Sequence, residues 1–145
     1  MIKKVDQSSI NSLADLALKL WPDHEREAFI EEISNAIDAS ENESYLYYND
    51  SFEAIGFIQL SVRHDYVEGC DSSPVGYIEG IYVEADYRRR GIAQELVLFA
   101  EEWSRKHDCL EMASDCELEN QLSIDFHLGA GFIEANRIVC FTKKH

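Results

Sequence analysis

A carboxylate inside an apolar stretch and a basic, glycine-bearing turn just beyond it carry the clearest chemical potential in this chain. Glu79 lies within Tyr77-Ile78-Glu79-Gly80-Ile81-Tyr82-Val83, and Arg88-Arg89-Arg90-Gly91-Ile92-Ala93 follows. Free aliphatic amines are mostly protonated near pH 7. A carboxylate beside a reacting centre can bind the ammonium and accept its proton, directly or through water. The other reading of Glu79 is a polar residue on a solvated strand face. The basic turn opens a helix, where unpaired backbone N–H groups and the helix dipole favour anions. Gly91 and Ala93 leave the backbone open to a close-approaching phosphate, and Arg88, Arg89 and Arg90 add positive charge. A pyrophosphate fits such a turn, and so does the plainer reading of a solvated basic helix start. The string is neither GxGxxG nor a P-loop, because no Gly-Lys-Ser/Thr is present.

Further candidates lie along the chain. Asp115 ends a short apolar stretch, where it either faces a cleft opposite Glu79 or caps the following helix. His127 stands seven residues after Asn120, two turns along one helix face, with an unperturbed pKa range suited to proton donation. A packed or surface histidine is the alternative. Trp21 and His24 follow the first helix, and Tyr66 sits in a polar loop with Asp65, Glu68 and Asp71. The four cysteines, Cys70, Cys109, Cys116 and Cys140, show no CxxC spacing and no accompanying histidines at zinc-site distances. No metal is expected. Cys109 and Cys140, in apolar stretches, are expected in the core.

Twenty-eight acids against 13 bases leave a net charge of −15 in 145 residues. That surface repels nucleic acid and anionic membranes and attracts cations. From Glu25 to Glu53 there are nine acids and one base, so the adjacent arginines at 88–90 stand out as an anion site on a cation-attracting molecule. The length suits one domain over residues 1–145. No apolar run reaches membrane-spanning length, and the polar N-terminus lacks a signal-peptide core. A cytoplasmic protein with reduced thiols is expected.

The elements that must position these residues follow from periodicity. Ile2 and Val5 suit a short strand. Ser8 or Ser9 can cap a helix carrying Ile10, Leu13, Leu16, Ala17 and Leu20, ended by Trp21-Pro22. A second helix from near Asp23 carries Phe29, Ile30, Ile33 and Ile37. Tyr45–Tyr48 and Ala54–Val62 form a hairpin around Asn49-Asp50-Ser51. Val75–Val83 is a long strand, the helix after Gly91 carries Leu96, Val97, Ala100 and Trp103, and Leu110–Ser114 is a strand. Asn120–Leu128 is a helix stopped by Gly129-Ala130-Gly131. Phe132-Ile133 and Ile138–Phe141 are expected to close the chain as strands. The whole is mixed α/β, with an antiparallel first half and a central βαβ unit.

A strand, then Arg88-x-x-Gly91-x-Ala93, then an amphipathic helix resembles the acetyl-CoA motif of the GNAT superfamily of N-acetyltransferases. Leu20-Trp21-Pro22-x-His24, Arg63-His64-Asp65-Tyr66-Val67, Gly69-Cys70-Asp71-Ser72-Ser73-Pro74-Val75, Glu79-Gly80-Ile81 and Ala113-Ser114-Asp115 look like aminoglycoside 6'-N-acetyltransferases. The likeness runs from about Leu20 to Phe141. It implies a GNAT fold: a mixed, mostly antiparallel sheet flanked by helices, with a splayed parallel strand pair at the acetyl-CoA site. It implies direct transfer from acetyl-CoA to the 6'-amine in a ternary complex, and often a homodimer. Trp21, His24, Tyr66, Glu79, Asp115 and the position of Asn136 would bind the antibiotic. Glu79 and His127 would be catalytic. Ile81, Tyr82 and Val83, the turn from Arg88 through Arg89, Arg90, Gly91 and Ile92 to Ala93, and Asn120 would bind acetyl-CoA. A backbone N–H near Val83 would stabilise the oxygen charge that develops on attack. His127 stands where many GNAT members have tyrosine, and Asn136 where the closer relatives often have glutamate. The rivals are a GNAT enzyme for another amine, such as a polyamine or a protein N-terminus, and a non-catalytic acyl-CoA sensor.

Overall fold

The computed structural model describes residues 1–145. Its elements in chain order are β1 (Ile2–Lys4), α1 (Ile10–Leu20), α2 (Arg26–Asn35), β2 (Asn42–Tyr48), β3 (Ala54–Arg63), β4 (Val75–Val83), α3 (Ile92–Lys106), β5 (Glu111–Ser114) and α4 (Gln121–Gly129), with a 3-10 turn at Ala85–Tyr87. The strands form one sheet in the order β1-β2-β3-β4-β5. The first four are antiparallel, and β5 lies parallel to β4 after the α3 crossover. This is the expected mixed sheet with a single parallel pair.

Each face of the sheet carries its own core. Leu13, Leu16, Ala17, Phe29, Ile33, Leu46 and Phe57 pack on the face bearing α1 and α2. Ile58, Leu60, Ile78, Leu96, Val97, Ala100 and Trp103 pack on the face bearing α3. The larger of these side chains contribute about 1.5–3 kcal/mol each when fully buried. At the β2–β3 turn, Asn49 Oδ1 accepts the N–H groups of Ser51 and Glu53, both at 2.9 Å, which closes the expected hairpin.

Several local expectations need correction. Ser9 stands at the N-cap of α1 but makes no side-chain cap bond. Its hydroxyl instead accepts the Asp6 N–H at 3.0 Å, while Asp6 Oδ1 accepts the Ser8 N–H at 2.9 Å. The second helix begins at Arg26, not near Asp23, and ends before Ile37, which still packs on the α2 core. The largest difference is at the C-terminus. Beyond Gly129 there is no helix or strand, so Phe132-Ile133 and Ile138–Phe141 are not strands within this chain. Their apolar character remains, but the sheet stops at β5. Ile133 is 90 % exposed and Phe141 89 %. Cys140 is exposed with them, whereas Cys109 is buried as expected.

Candidate functional site

The site is built on an irregularity in β4. Leu60 pairs with Ile78 and Gln59 with Gly80, so Glu79 is an extra residue with no partner on β3. This is a β-bulge, which reverses the facing of the side chains that follow it. A Cβ on Gly76 would meet Ser104 of α3 at 2.2 Å, whereas one on Gly80 would meet Trp21 at 2.4 Å. Residues four apart on an unbroken strand would share a face. Here they point to opposite ones, and Gly80 lets the Trp21 indole lie against the strand beside Glu79.

Glu79 joins Ser61, Arg63 and Tyr77 on the face that carries α1. Arg63 Nη2 donates to Glu79 Oε1 at 2.7 Å and Arg63 Nε to Oε2 at 3.0 Å, a two-pronged ion pair. The Ser61 hydroxyl also donates to Oε2. The Arg63 guanidinium carbon lies 3.4 Å from the Tyr77 ring centroid, and the Tyr77 hydroxyl donates to Asp115. The two expected acids therefore belong to one chain of contacts. The Glu79 bonds hold the Arg63 pKa above its ordinary value. Burial, reinforced by the Asp115 bond, pushes the Tyr77 hydroxyl up, so it is a neutral donor at any working pH. Ser61, Arg63, His64, Asp65, Tyr66 and Glu79 line an open cleft of about 520 Å³.

On the other side of β4 the backbone is free. The β4–β5 ladder runs only from Val75–Glu111 to Ile78–Ser114, after which β5 ends. In an antiparallel ladder, bonded and non-bonded pairs alternate. Glu84 N–H donates to Ile55 O at 2.8 Å, so the Val83–Gly56 pair next to it is non-bonded. The Val83 and Ile81 backbone groups therefore face away from β3, into the gap left by β5, while Tyr82 between them faces β3. Arg88 Nε already donates to Val83 O at 2.8 Å, so this arginine braces the turn. Gly91 stands at the N-cap of α3 with φ 80°, a left-handed conformation that suits glycine, and a Cβ there would touch nothing within 4 Å. The N–H groups of Ile92, Ala93 and Gln94 precede the first intrahelical bond. Arg89 has φ 62°, and Arg90 lies over the Tyr87 ring. An open strand edge leading to a helix start with adjacent arginines fits an extended, phosphate-bearing ligand.

The remaining candidates divide. His24 stacks on Trp21 with ring centroids 5.5 Å apart, so both stand near the bulge. Tyr66 is 78 % exposed at the cleft rim. Its loop meets the C-terminal segment, where Asn136 Nδ2 donates to Glu68 Oε1 at 3.4 Å. Asn120 Oδ1 accepts the Ser123 N–H at 3.1 Å and caps α4, leaving only its amide N–H groups for a ligand. His127 is tied at both nitrogens. Nδ1 donates to Ser123 O at 2.7 Å, so Nε2 accepts the Ser114 hydroxyl at 2.8 Å. The ring also packs edge-on against Phe126 and Phe132. It fastens α4 to the end of β5. No three His, Cys, Asp or Glu side chains are grouped to hold a metal ion.

Residues 10–132 match the model of the acetyltransferase (GNAT) family. The chain belongs to the GNAT acetyltransferase family. Among its relatives is an aminoglycoside N(6')-acetyltransferase type 1 of Acinetobacter genomosp. 13, 41% identical, with 99% of this chain and 97% of that protein covered. One of the same description from Salmonella typhimurium is 36% identical over 99% and 98%. The fold superposes on the structure of AAC(6')-Iy in complex with the bisubstrate analogue CoA-S-monomethyl-acetylneamine, with TM-score 0.93, 36% identity and coverage of 100% and 98%. It matches AAC(6')-Ih from Acinetobacter baumannii equally well, at TM-score 0.93, 38% identity and coverage of 100% and 98%.

In this acetyltransferase, sequence reasoning missed Ser61, Arg63 and Tyr77 as residues that touch or connect the acids. Arg63 and Tyr77 lie sixteen and two residues from Glu79. Strand alternation already puts Tyr77 and Glu79 on one face, but the register that brings Ser61 and Arg63 of β3 beside them is recorded by no local string. The helix-start site has a direct test. Asn tolerates a left-handed backbone about as well as Asp, so the pair Gly91→Asn and Gly91→Asp isolates charge. Gly91→Asp is expected to bind acetyl-CoA at least about tenfold more weakly than Gly91→Asn in calorimetry, roughly 1.4 kcal/mol. Equal affinities in two folded variants would remove the phosphates from this turn.

Proposed function

We propose that this enzyme transfers the acetyl group of acetyl-CoA to the 6'-amine of aminoglycoside antibiotics, by direct transfer in a ternary complex, and so confers resistance. The observation that carries the reading is the pair of acids, Glu79 and Asp115, in one contact network beside the open edge of β4. A polycation suits that cleft and the net charge of −15. The relatives' descriptions support the same substrate class.

Acetyl-CoA supplies the activated acetyl group. The chain's part is to bind, orient and move protons. Ile81 and Val83 offer outward backbone groups to an extended arm, flanking Tyr82, with Asn120 across the gap on α4. The turn of Arg88, Arg89, Arg90, Gly91, Ile92 and Ala93 receives the phosphates. The Val83 N–H is a donor for the thioester carbonyl oxygen. Glu79 and Asp115 hold the substrate ammonium groups, and Glu79 accepts the proton of the reacting amine, directly or through water. Trp21, with His24 stacked on it, offers an aromatic face to a sugar ring, and Tyr66 and Asn136 form the rim of the cleft. In its protonated form His127 donates from Nε2 to the Ser114 hydroxyl, and that hydroxyl passes its own proton to the departing sulfur.

The enzyme works as a homodimer and in the cytoplasm on this reading. The four cysteines are free. Ile138, Val139 and Phe141 stand exposed on a segment with no strand partner in its own chain, the kind of apolar surface that a second copy covers. Light scattering after gel filtration should give twice the chain mass, and a monomer at all micromolar concentrations would exclude the dimer.

The main test is acetyl transfer to kanamycin and tobramycin with the product position read by NMR. Glu79→Ala and Asp115→Ala should leave acetyl-CoA binding within about twofold of wild type and lower kcat/KM for tobramycin by about tenfold or more, a loss of transition-state contact of roughly 1.4 kcal/mol. If both variants keep wild-type efficiency, the acids are not the site. If only a polyamine or a peptide is acetylated, the substrate class is wrong.

His127 has a separate readout. His127→Ala should lower kcat by about tenfold or more, keep the KM for acetyl-CoA, and remove one ionisation from the pH–kcat profile. A folded variant with wild-type kcat and an unchanged profile would leave His127 only as the strut between α4 and β5.

A further inference from the structure

Glu79 is the acid proposed above to meet the substrate amine, yet its carboxylate is already occupied. Arg63 reaches both oxygens, at 2.7 and 3.0 Å, and Ser61 takes a further position on Oε2. The Arg63 side chain is 41% exposed and lines the same cleft as Tyr66. Its underside rests on the Tyr77 ring, and Tyr77 is 6% exposed and bonded to Asp115. In a strongly acidic molecule, one fixed cation therefore stands between the two acids that the proposed function uses.

We propose that Arg63 is an internal counter-ion and positioning residue. It holds the Glu79 carboxylate in its working orientation while competing for it with the incoming ammonium. Two consequences have opposite signs. The positive charge opposes a cationic ligand, so it weakens ground-state binding. The planar, two-pronged contact fixes where the carboxylate points, so it favours transfer by orientation. Lysine can replace the charge but neither the two-pronged contact nor the flat stacking on Tyr77. The competition also sets a preference. A substrate that engages Asp115 with a second ammonium gains a contact that compensates for sharing Glu79. A monoamine gains none, so Arg63 discriminates against it.

The inference rests on the acid-pair reading, and the experiment separates the two. Steady-state kinetics with tobramycin and with a mono-aminated sugar, glucosamine, would be measured for wild type, Arg63→Gln, Arg63→Lys, Glu79→Ala and the double variant Arg63→Gln/Glu79→Ala. Thermal melting reports that each is folded. Arg63→Gln should lower KM for both amines by about fivefold, with the larger fall for glucosamine, and lower kcat by about tenfold. Arg63→Lys should return KM to near the wild-type value and leave kcat low. In the Glu79→Ala background, Arg63→Gln should change kcat by less than about twofold, because the carboxylate that it orients is gone. A merely structural arginine would raise KM, or leave it unchanged, while kcat falls, and that pattern overturns the proposal. So does an equal effect of Arg63→Gln on kcat with and without Glu79. A Glu79→Ala variant indistinguishable from wild type would instead overturn the acid-pair reading itself.

Discussion

Between Ile78 and Gly80, β4 carries one residue more than β3 can pair, and the arrangement of the cleft depends on where that residue goes. Without the extra residue, Gly80 would share a face with Gly76 and look toward α3. With it, Gly80 receives Trp21 from the end of α1, next to Glu79 on the face of Ser61, Arg63 and Tyr77. The cost is a break in the ladder. The return is a carboxylate on a rigid strand rather than on a loop, with an aromatic face beside it.

The same strand solves a second problem on its other edge. A parallel neighbour that continued past Ile78 would consume the outward groups of Ile81 and Val83. β5 is only four residues long and ends at Ser114. His127 then holds α4 against that last residue through the Ser114 hydroxyl, keeping the gap open at a defined width. Asp115 follows immediately and is caught by Tyr77. Strand divergence and acid placement are thus one structural event: where β5 leaves β4, Asp115 is bonded to Tyr77, the ring on which Arg63 rests.

Charge is distributed along the same lines. The molecule is acidic overall, which suits a cationic substrate, and its few bases near the site have assigned partners. Arg63 neutralises Glu79, Arg88 braces the Val83 carbonyl, and Arg90 lies over Tyr87. Glu111, at the start of β5, accepts the N–H groups of Asp71 and Ser72 at 2.8 Å and pins the far end of the Tyr66 loop. The Ser72 hydroxyl, with these N–H groups, holds the Glu111 pKa below its ordinary value. The flexible-looking loop of the sequence is therefore tied to the sheet at its base, while Tyr66 at its tip stays exposed.

Helices, strands up to β5, the basic helix start and the family were all legible in the residues, because each depends on local periodicity or on a contiguous string. Glu79, Asp115 and the open edge at Val83 were legible as candidates for the same reason. Three things needed the folded chain. The bulge was invisible, since an extra residue in a strand leaves no compositional mark, and so was the β3–β4 register that brings Ser61 and Arg63 to Glu79 and Tyr77. The role of His127 as a strut emerged only when α4 was placed against β5, whereas the Asn120 cap is local to α4. The apolar runs Phe132-Ile133 and Ile138–Phe141 suggested strands, but a strand needs a neighbour to take its backbone bonds, and neither run has one in this chain. Periodicity tells which side of an element is apolar. Only tertiary structure decides what that side meets, and which residues distant in sequence close around the same carboxylate.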